Sequence, residues 1–186
     1  MSLAERATDA AAEMQAAVAA IDPEEWQAVL AALQGARRIV CHGLGREGLM
    51  MKALAMRLYH LGLDAHVVGE MTCPPVGEGD LFLVACGPGT LATAEALIGV
   101  ARGSDASVAC ITAEPGGPAP HAADLVLTIP AQTMARDQGG AARSILPMGS
   151  VFEGAMFLAF ELIILELRAR LGIESEAMRA RHTNLE

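Results

Sequence analysis

The chain has 186 residues, a net charge of -9 and a pI of about 5.0, which argues against a broad basic surface for nucleic acid. Hydrophobic residues make up 53%, enough for a core without disulfides or metal and for helices that bury a second face against another subunit. No apolar run reaches the roughly 18 residues of a membrane span, and the acidic N-terminus is unlike a signal peptide. We therefore expect a cytoplasmic protein that binds neither membrane nor nucleic acid.

Two helices are predicted in residues 1–35, ahead of the first strand. Apolar residues recur at three- and four-residue intervals through the first 21 positions, as on one face of a helix. Asp22 then supplies an N-cap, and Pro23 is a favourable first helical residue. Gly35 is expected to end the second helix.

Strands and helices alternate from residue 36 to residue 130. The predicted strands are near-continuous apolar runs, so helices are expected to cover both faces of the sheet. This pattern predicts an α/β protein, a three-layer αβα sandwich around a doubly wound, five-stranded parallel sheet. The predicted strands are 38–42, 65–69, 80–86, 106–112 and 124–129, with helices at 49–61 and 90–102.

Residues 131–149 contain no convincing element, and a loop of this length is typically functional or mobile. Ser150 is predicted to cap a long helix that Gly172 ends, with Glu153 as the acid of a capping box. A short helix and tail follow. We expect one domain over 1–186, made of a helical extension (1–35), a parallel α/β core (36–130), a loop (131–149) and a long helix with tail (150–186).

Two glycine-containing turns, 43–48 and 86–90, follow the first and third predicted strands. Ligands of open α/β sheets bind beyond the carboxyl ends of the strands, where the N–H groups of helix N-termini favour an anion. The glycines would alternatively serve only as tight turns. The first turn also has the G-x-G-x-x-G spacing of NAD(P) sites, with Glu70 at a suitable distance. The short helix after it and the second glycine turn argue against a dinucleotide.

Six segments follow one another in an order and spacing that matches a known family. They are 43–48 (GLGREG), 55–62 (AMRLYHLG), 67–70 (VVGE), 77–81 (GEGDL), 147–153 (PMGSVFE) and 181–186 (RHTNLE). The chain resembles the sugar isomerase (SIS) domain family, and within it the 6-phospho-3-hexuloisomerases. The resemblance implies the SIS fold and an isomerase that converts a hexulose 6-phosphate into fructose 6-phosphate through an enediolate. It also implies dimers or tetramers with sites at subunit interfaces.

The resemblance implies roles for three residues. Glu153 corresponds to the general base, His182 to a partner in ring opening or proton transfer, and Arg46 to a phosphate or substrate contact. Shifting a carbonyl to a neighbouring carbon needs a base and a donor for the enediolate oxygen, so we expect no cofactor and no metal. Glu153 would alternatively be only a capping acid, and His182 a solvated tail residue. His42, at the end of the first predicted strand, is a weaker candidate for the pocket.

The predicted phosphate loop departs from the family pattern. Glu47 stands where the first loop usually has serine, and Cys86, Pro88 and Leu91 replace two serines and a threonine of the second. Proline also lacks an N–H donor. A non-catalytic module that binds sugar phosphates is therefore the alternative function. The predicted substrate-binding residues are Gly43, Gly45, Arg46, Glu47, Cys86, Gly87, Pro88, Gly89, Thr90, Thr93 and Thr112.

Overall fold

The computed structural model describes residues 1–138 and 143–185. Its strands are β1 (Ile39–His42), β2 (Ala65–Val67), β3 (Leu81–Ala85), β4 (Ser107–Thr112) and β5 (Leu125–Thr128). They form one parallel sheet in the order β2-β1-β3-β4-β5. The predicted α/β fold is thereby confirmed. This strand order is also unlike the 3-2-1-4-5-6 order of dinucleotide-binding Rossmann domains.

Helices cover both faces of the sheet, as the apolar strand patterns predicted. The helices are α1 (Leu3–Ala19), α2 (Pro23–Gly35), α3 (Gly45–Leu61), α4 (Ala92–Gly103), α5 (Pro118–His121), α6 (Ser150–Leu171) and α7 (Ser175–Ala180), with a 3-10 turn at Met134–Arg136. One face packs on α2, α3 and α6, and the other packs on α4 and α5. The N-terminal α1 lies against α6. None of the described helices is long and apolar enough to cross a membrane.

The start of α3 differs from the prediction. The sequence predicted a loop over 43–48 and a helix from Leu49, but α3 begins at Gly45. Three glycines in residues 43–48 lower helix propensity, but the last of them, Gly48, packs against the backbone of Gly43. A Cβ on Gly48 would lie 2.5 Å from the carbonyl oxygen of Gly43, so only glycine allows α3 to start this close to β1. Arg46 and Glu47 consequently lie in the first helical turn.

This close approach predicts a large stability difference between two glycine substitutions. Gly48→Ala should lower the free energy of unfolding by about 1–3 kcal/mol, because backbone must move to admit the methyl group. Gly99→Ala, inside α4 with open space around it, should raise that energy by about 0.5–1 kcal/mol. Urea denaturation followed by circular dichroism measures both. A Gly48→Ala variant as stable as Gly99→Ala would contradict the close packing of α3 on β1.

Candidate active site

The carboxyl ends of β1 and β3 lie side by side, where the chain passes to opposite sides of β1. Open α/β sheets bind ligands in the crevice at such a switch point. The short connection after β1 leads into α3, and the turn after β3 (86–90) leads towards α4. The first turn of α6 adds Glu153, since α6 packs against α3. Residues from three distant parts of the sequence are thereby gathered at one edge of the sheet.

Glu153 lies in the first turn of α6, with its side chain 14% exposed. Its Oε2 is 3.1 Å from Arg46 Nε, in an orientation that pairs the charges without forming a hydrogen bond. The Nη1 group of Arg46 donates a hydrogen bond of 2.8 Å to Ser150 Oγ. Burial raises the pKa of Glu153, and the Arg46 charge opposes that rise. A buried carboxylate of raised pKa is suited to accept a proton.

The capping box predicted for α6 does not form. Gly149 is the N-cap in a left-handed conformation, with φ of 76° and no side-chain cap. Ser150 is instead the first helical residue, and its hydroxyl donates to the carbonyl oxygen of Pro147 at 2.7 Å. The interpretation of Glu153 as a capping acid is therefore wrong. Its carboxylate faces Arg46 rather than the helix N-terminus.

The Glu47 side chain points into the crevice, towards the turn after β3. Its Oε2 accepts a hydrogen bond of 2.9 Å from the Gly87 N–H. A Cβ on Gly87 would lie 2.6 Å from Glu47 Oε1 and 2.7 Å from Phe152 Cε1, so this approach requires glycine. Burial raises the pKa of Glu47, the Gly87 hydrogen bond lowers it, and the Glu153 charge raises it. The sequence left the direction of this side chain open.

Other donors of the same turn also have partners within the chain. The Gly89 N–H donates to the carbonyl oxygen of Cys86 at 2.9 Å. Glu95 Oε1 accepts from the Leu91 N–H at 3.1 Å and from the Thr90 hydroxyl at 2.8 Å. A turn whose donors already bind carbonyl and carboxylate oxygens offers an incoming anion few free N–H groups.

Thr112 supports this turn from the end of β4. It is fully buried, and its hydroxyl donates to the carbonyl oxygen of Gly87 at 3.3 Å and accepts from the Glu114 N–H at 3.0 Å. Cys86 is buried too, and burial raises the pKa of its thiol to about 12. The structure places the other predicted contacts at the same edge of the sheet, and their binding roles stay predictions: Gly43, Gly45, Pro88, Gly89, Thr90 and Thr93.

His182 lies at the opposite end of α3 from Glu153. Its ring centroid is 5.4 Å from that of His60, and the Nη1 group of Arg181 donates to the His60 carbonyl oxygen at 3.2 Å. Arg46, which contacts Glu153, precedes His60 by fourteen positions on α3. At a rise of 1.5 Å per residue this separation is about 21 Å. One chain therefore does not bring His182 and Glu153 together.

The C-terminal tail is docked closely at that end of α3. A Cβ on Gly62 would lie 2.8 Å from Arg181 Nη2, and Gly62 itself has a φ of 91°. Both the conformation and the close approach favour glycine at this position. The Arg181 guanidinium also donates to the carbonyl oxygen of Ala177 at 3.1 Å, so it links α7 to α3.

His42 ends β1 on the face of the sheet that packs on α4. It is buried and stacks on Phe82, with 6.4 Å between ring centroids. Burial lowers its pKa, which favours the neutral imidazole. Among the described residues its Nε2 has no hydrogen-bond partner. Such a group is usually satisfied by a ligand or water, so a role for His42 in the pocket stays a prediction.

A cavity of about 750 Å³ opens beyond the carboxyl ends of β4 and β5. Its volume lies in the range of small-molecule sites. Glu114 and Arg136 line it and form an ion pair. Val151, two residues before Glu153, lines it as well. The cavity also adjoins the turn after β3, because a Cβ on Gly89 would lie 2.7 Å from the carbonyl oxygen of Glu114.

Two contacts of the site were not predicted from the sequence. Ser150 was expected to cap α6, whereas it orients the Arg46 guanidinium. Glu47 was a candidate contact for substrate, whereas it binds Gly87. No local pattern indicates either contact, because each joins residues at least 40 positions apart. The departures from the family pattern at Glu47 and in the turn after β3 signalled that this part of the site is altered, but not that Glu47 and Gly87 are in contact.

Comparison with known proteins agrees with this architecture. A protein named 3-hexulose-6-phosphate isomerase from Bacillus subtilis is 37% identical over 182 residues, covering 94% of each chain. A Mycobacterium gastri protein of the same name is 34% identical, covering 94% of this chain and 86% of its own. A solved Methanococcus jannaschii structure, whose molecular function was inferred as 3-hexulose-6-phosphate isomerase, superposes with a TM-score of 0.84 at 24% identity. It covers 98% of this chain and 99% of that one.

The family model for the SIS domain matches residues 32–158. The matched segment begins in α2 and extends into α6, so it includes the whole sheet and the first turn that holds Glu153. The match and the identity to these relatives over nearly the full chain agree with each other. The chain belongs to the SIS domain family.

Proposed function

We propose that this protein is a phosphosugar isomerase that moves the carbonyl of a hexulose 6-phosphate from C3 to C2. The observation that carries the proposal is Glu153, a largely buried carboxylate of raised pKa at the carboxyl edge of the sheet. The names of relatives that share 34–37% identity support the substrate class. A phosphorylated substrate also fits the cytoplasmic location expected from the sequence.

The proposed reaction needs one base and one stabilising charge. Glu153 removes the proton from C2, and the electron pair of that C–H bond forms the C2–C3 double bond of an enediolate. Protonation of C3 then gives the ketone at C2, while a proton passes from the C2 oxygen to the C3 oxygen. Arg46 lies beside Glu153 and favours its ionised form. Its positive charge also stabilises the developing enediolate oxygen.

The proposed assembly is a dimer or tetramer. Large apolar side chains are exposed on α3 and α6, which pack against each other. Several large apolar side chains exposed on two adjacent helices favour an interface. These side chains are Leu49, Met56 and Tyr59 on α3 and Phe157, Leu158, Leu162 and Leu165 on α6.

A two-fold interface across α3 would complete the site. If the two-fold axis is perpendicular to α3 and passes near its middle, the two copies of α3 run antiparallel, and one end of α3 lies beside the other end of its partner copy. His182 lies at one end of α3, and Glu153 contacts the other end through Arg46. The arrangement would bring His182 of one chain to Glu153 of the next. The imidazole is then the proton donor for sugar oxygens.

A second candidate function is binding of a sugar phosphate without turnover. The observation that favours it is the turn after β3, in which the Gly87 N–H is already bound by Glu47. A weakened phosphate anchor is compatible with a binding module that releases its ligand readily. The two functions differ in whether solvent hydrogen is incorporated at a sugar carbon, because only isomerisation exchanges a C–H proton.

The test of the proposed function is an isomerisation assay in D₂O. We expect 3-hexulose 6-phosphate to become fructose 6-phosphate that carries deuterium at C3, because the proton returned to that carbon exchanges with solvent. Proton and deuterium NMR follow product and label together. Binding without product would favour the second function, and neither binding nor product would contradict both.

A further inference from the structure

We propose that Glu47 sets the phosphate affinity of this site, because its carboxylate occupies the Gly87 N–H that an incoming phosphate would otherwise bind. The inference rests on the proposed function for the identity of the anion. Glu47 would then be a specificity-determining residue, at a position where the family's first loop usually has serine. A phosphate must displace the Glu47 carboxylate before it can use this turn.

The contact between Glu47 and Gly87 is built into the packing. The two residues are 40 positions apart, and the hydrogen bond of 2.9 Å joins the first turn of α3 to the turn after β3. Phe152 closes the remaining space, since a Cβ on Gly87 would meet its ring at 2.7 Å. Carboxylate and phosphate oxygens seek the same charge-assisted N–H bonds. The Glu47 side chain is thus an internal competitor for the anion.

Other carboxylates near this turn also repel an incoming anion. The negative charge of Glu153 on α6 raises the pKa of Glu47. Glu95 on α4 adds a carboxylate that accepts a hydrogen bond from the Thr90 hydroxyl of the same turn. The Cys86 and Cys110 thiols facing Glu47 are neutral, because burial raises the pKa of both. Arg46, the neighbouring cation, is already paired with Glu153. A phosphate dianion therefore meets more negative than positive charge at this turn.

The test compares Glu47→Gln and Glu47→Ser with the unchanged protein. The Gln variant keeps the shape and removes the charge, and the Ser variant also frees the Gly87 N–H. We expect both to bind inorganic phosphate at least 10-fold more tightly, with a matching fall in KM for hexulose 6-phosphate, because a like charge close to the anion is removed. Isothermal titration calorimetry measures phosphate binding without any turnover.

The matched control is Glu78→Gln, which removes the same charge from the exposed turn before β3, at the other end of that strand. Its phosphate affinity should equal that of the unchanged protein. Unchanged, weaker or undetectable phosphate binding by both Glu47 variants, with thermal melting showing that they are folded, overturns the inference. Tighter phosphate binding without any isomerase activity would instead contradict the proposed function and leave the role of Glu47 intact.

Discussion

Glu153→Gln is expected to lower kcat for the isomerisation of hexulose 6-phosphate by about 10²–10⁴-fold. Gln keeps the shape of the side chain but cannot take a proton from carbon, and general-base catalysis typically contributes that factor. KM should change much less than kcat, because Gln keeps the shape of the side chain beside Arg46. Steady-state kinetics measures both constants, with Glu78→Gln as the control for loss of one negative charge.

Thermal stability distinguishes lost catalysis from lost folding in this variant. Burial raises the pKa of Glu153 in the folded chain, so the folded state favours the protonated carboxyl. The free energy of unfolding therefore falls as pH rises above the pKa that Glu153 has in the unfolded chain, because Glu153 then ionises. Glu153→Gln should melt at or above the temperature of the unchanged protein at pH 8, with a difference that shrinks at pH 4. Full activity of a folded Glu153→Gln variant would contradict the role of base.

Mixing two inactive variants should restore activity if the site is shared between chains. His182→Ala and Glu153→Gln each remove one partner from every site of a homodimer. In a mixed dimer, one site combines Glu153 from one chain with His182 from the other, and the second site lacks both. Random exchange gives half mixed dimers with one working site in two, or about a quarter of full activity.

The experiment requires unfolding and refolding the two variants together, because assembled chains exchange slowly when the interface is large and apolar. Each variant refolded alone serves as the control, and light scattering gives the assembly size. No recovery in a mixture shown to contain mixed dimers would mean that both residues act within one chain or that His182 has no role. A monomer at micromolar concentration would contradict the shared site altogether.

Much of the architecture follows from local patterns in the sequence. All five strands were predicted to within a few residues, since apolar runs bounded by glycine or acidic turns are typical of buried parallel strands. The long helix α6 was predicted over its observed length, although its N-cap is Gly149 and not Ser150. The predicted start of α3 was wrong. Helix propensity disfavours the glycines in 43–48, but it does not include the tertiary contact in which Gly48 packs against Gly43.

The candidate site was less accessible to prediction, for two physical reasons. The direction of the Glu47 side chain depends on a partner 40 positions away at Gly87, which no periodicity indicates. The relation between Glu153 and His182 depends on how chains pack, because they lie at opposite ends of α3. The resemblance to the SIS family pointed to Glu153 and His182 and implied their roles. The structure shows that these two residues are far apart within one chain.

The docking of the tail on α3 has a consequence for the length of that helix. Arg181 contacts Gly62, the C-cap of α3, and Arg46 contacts Glu153 where α3 begins. If the site is shared as proposed, the length of α3 sets the distance between the Glu153 end and the His182 end of each chain. One residue added within it would shift the imidazole by 1.5 Å and turn it by about 100° relative to the carboxylate. In the proposed shared site, residues in the middle of α3 would therefore help to set the catalytic geometry without touching a substrate.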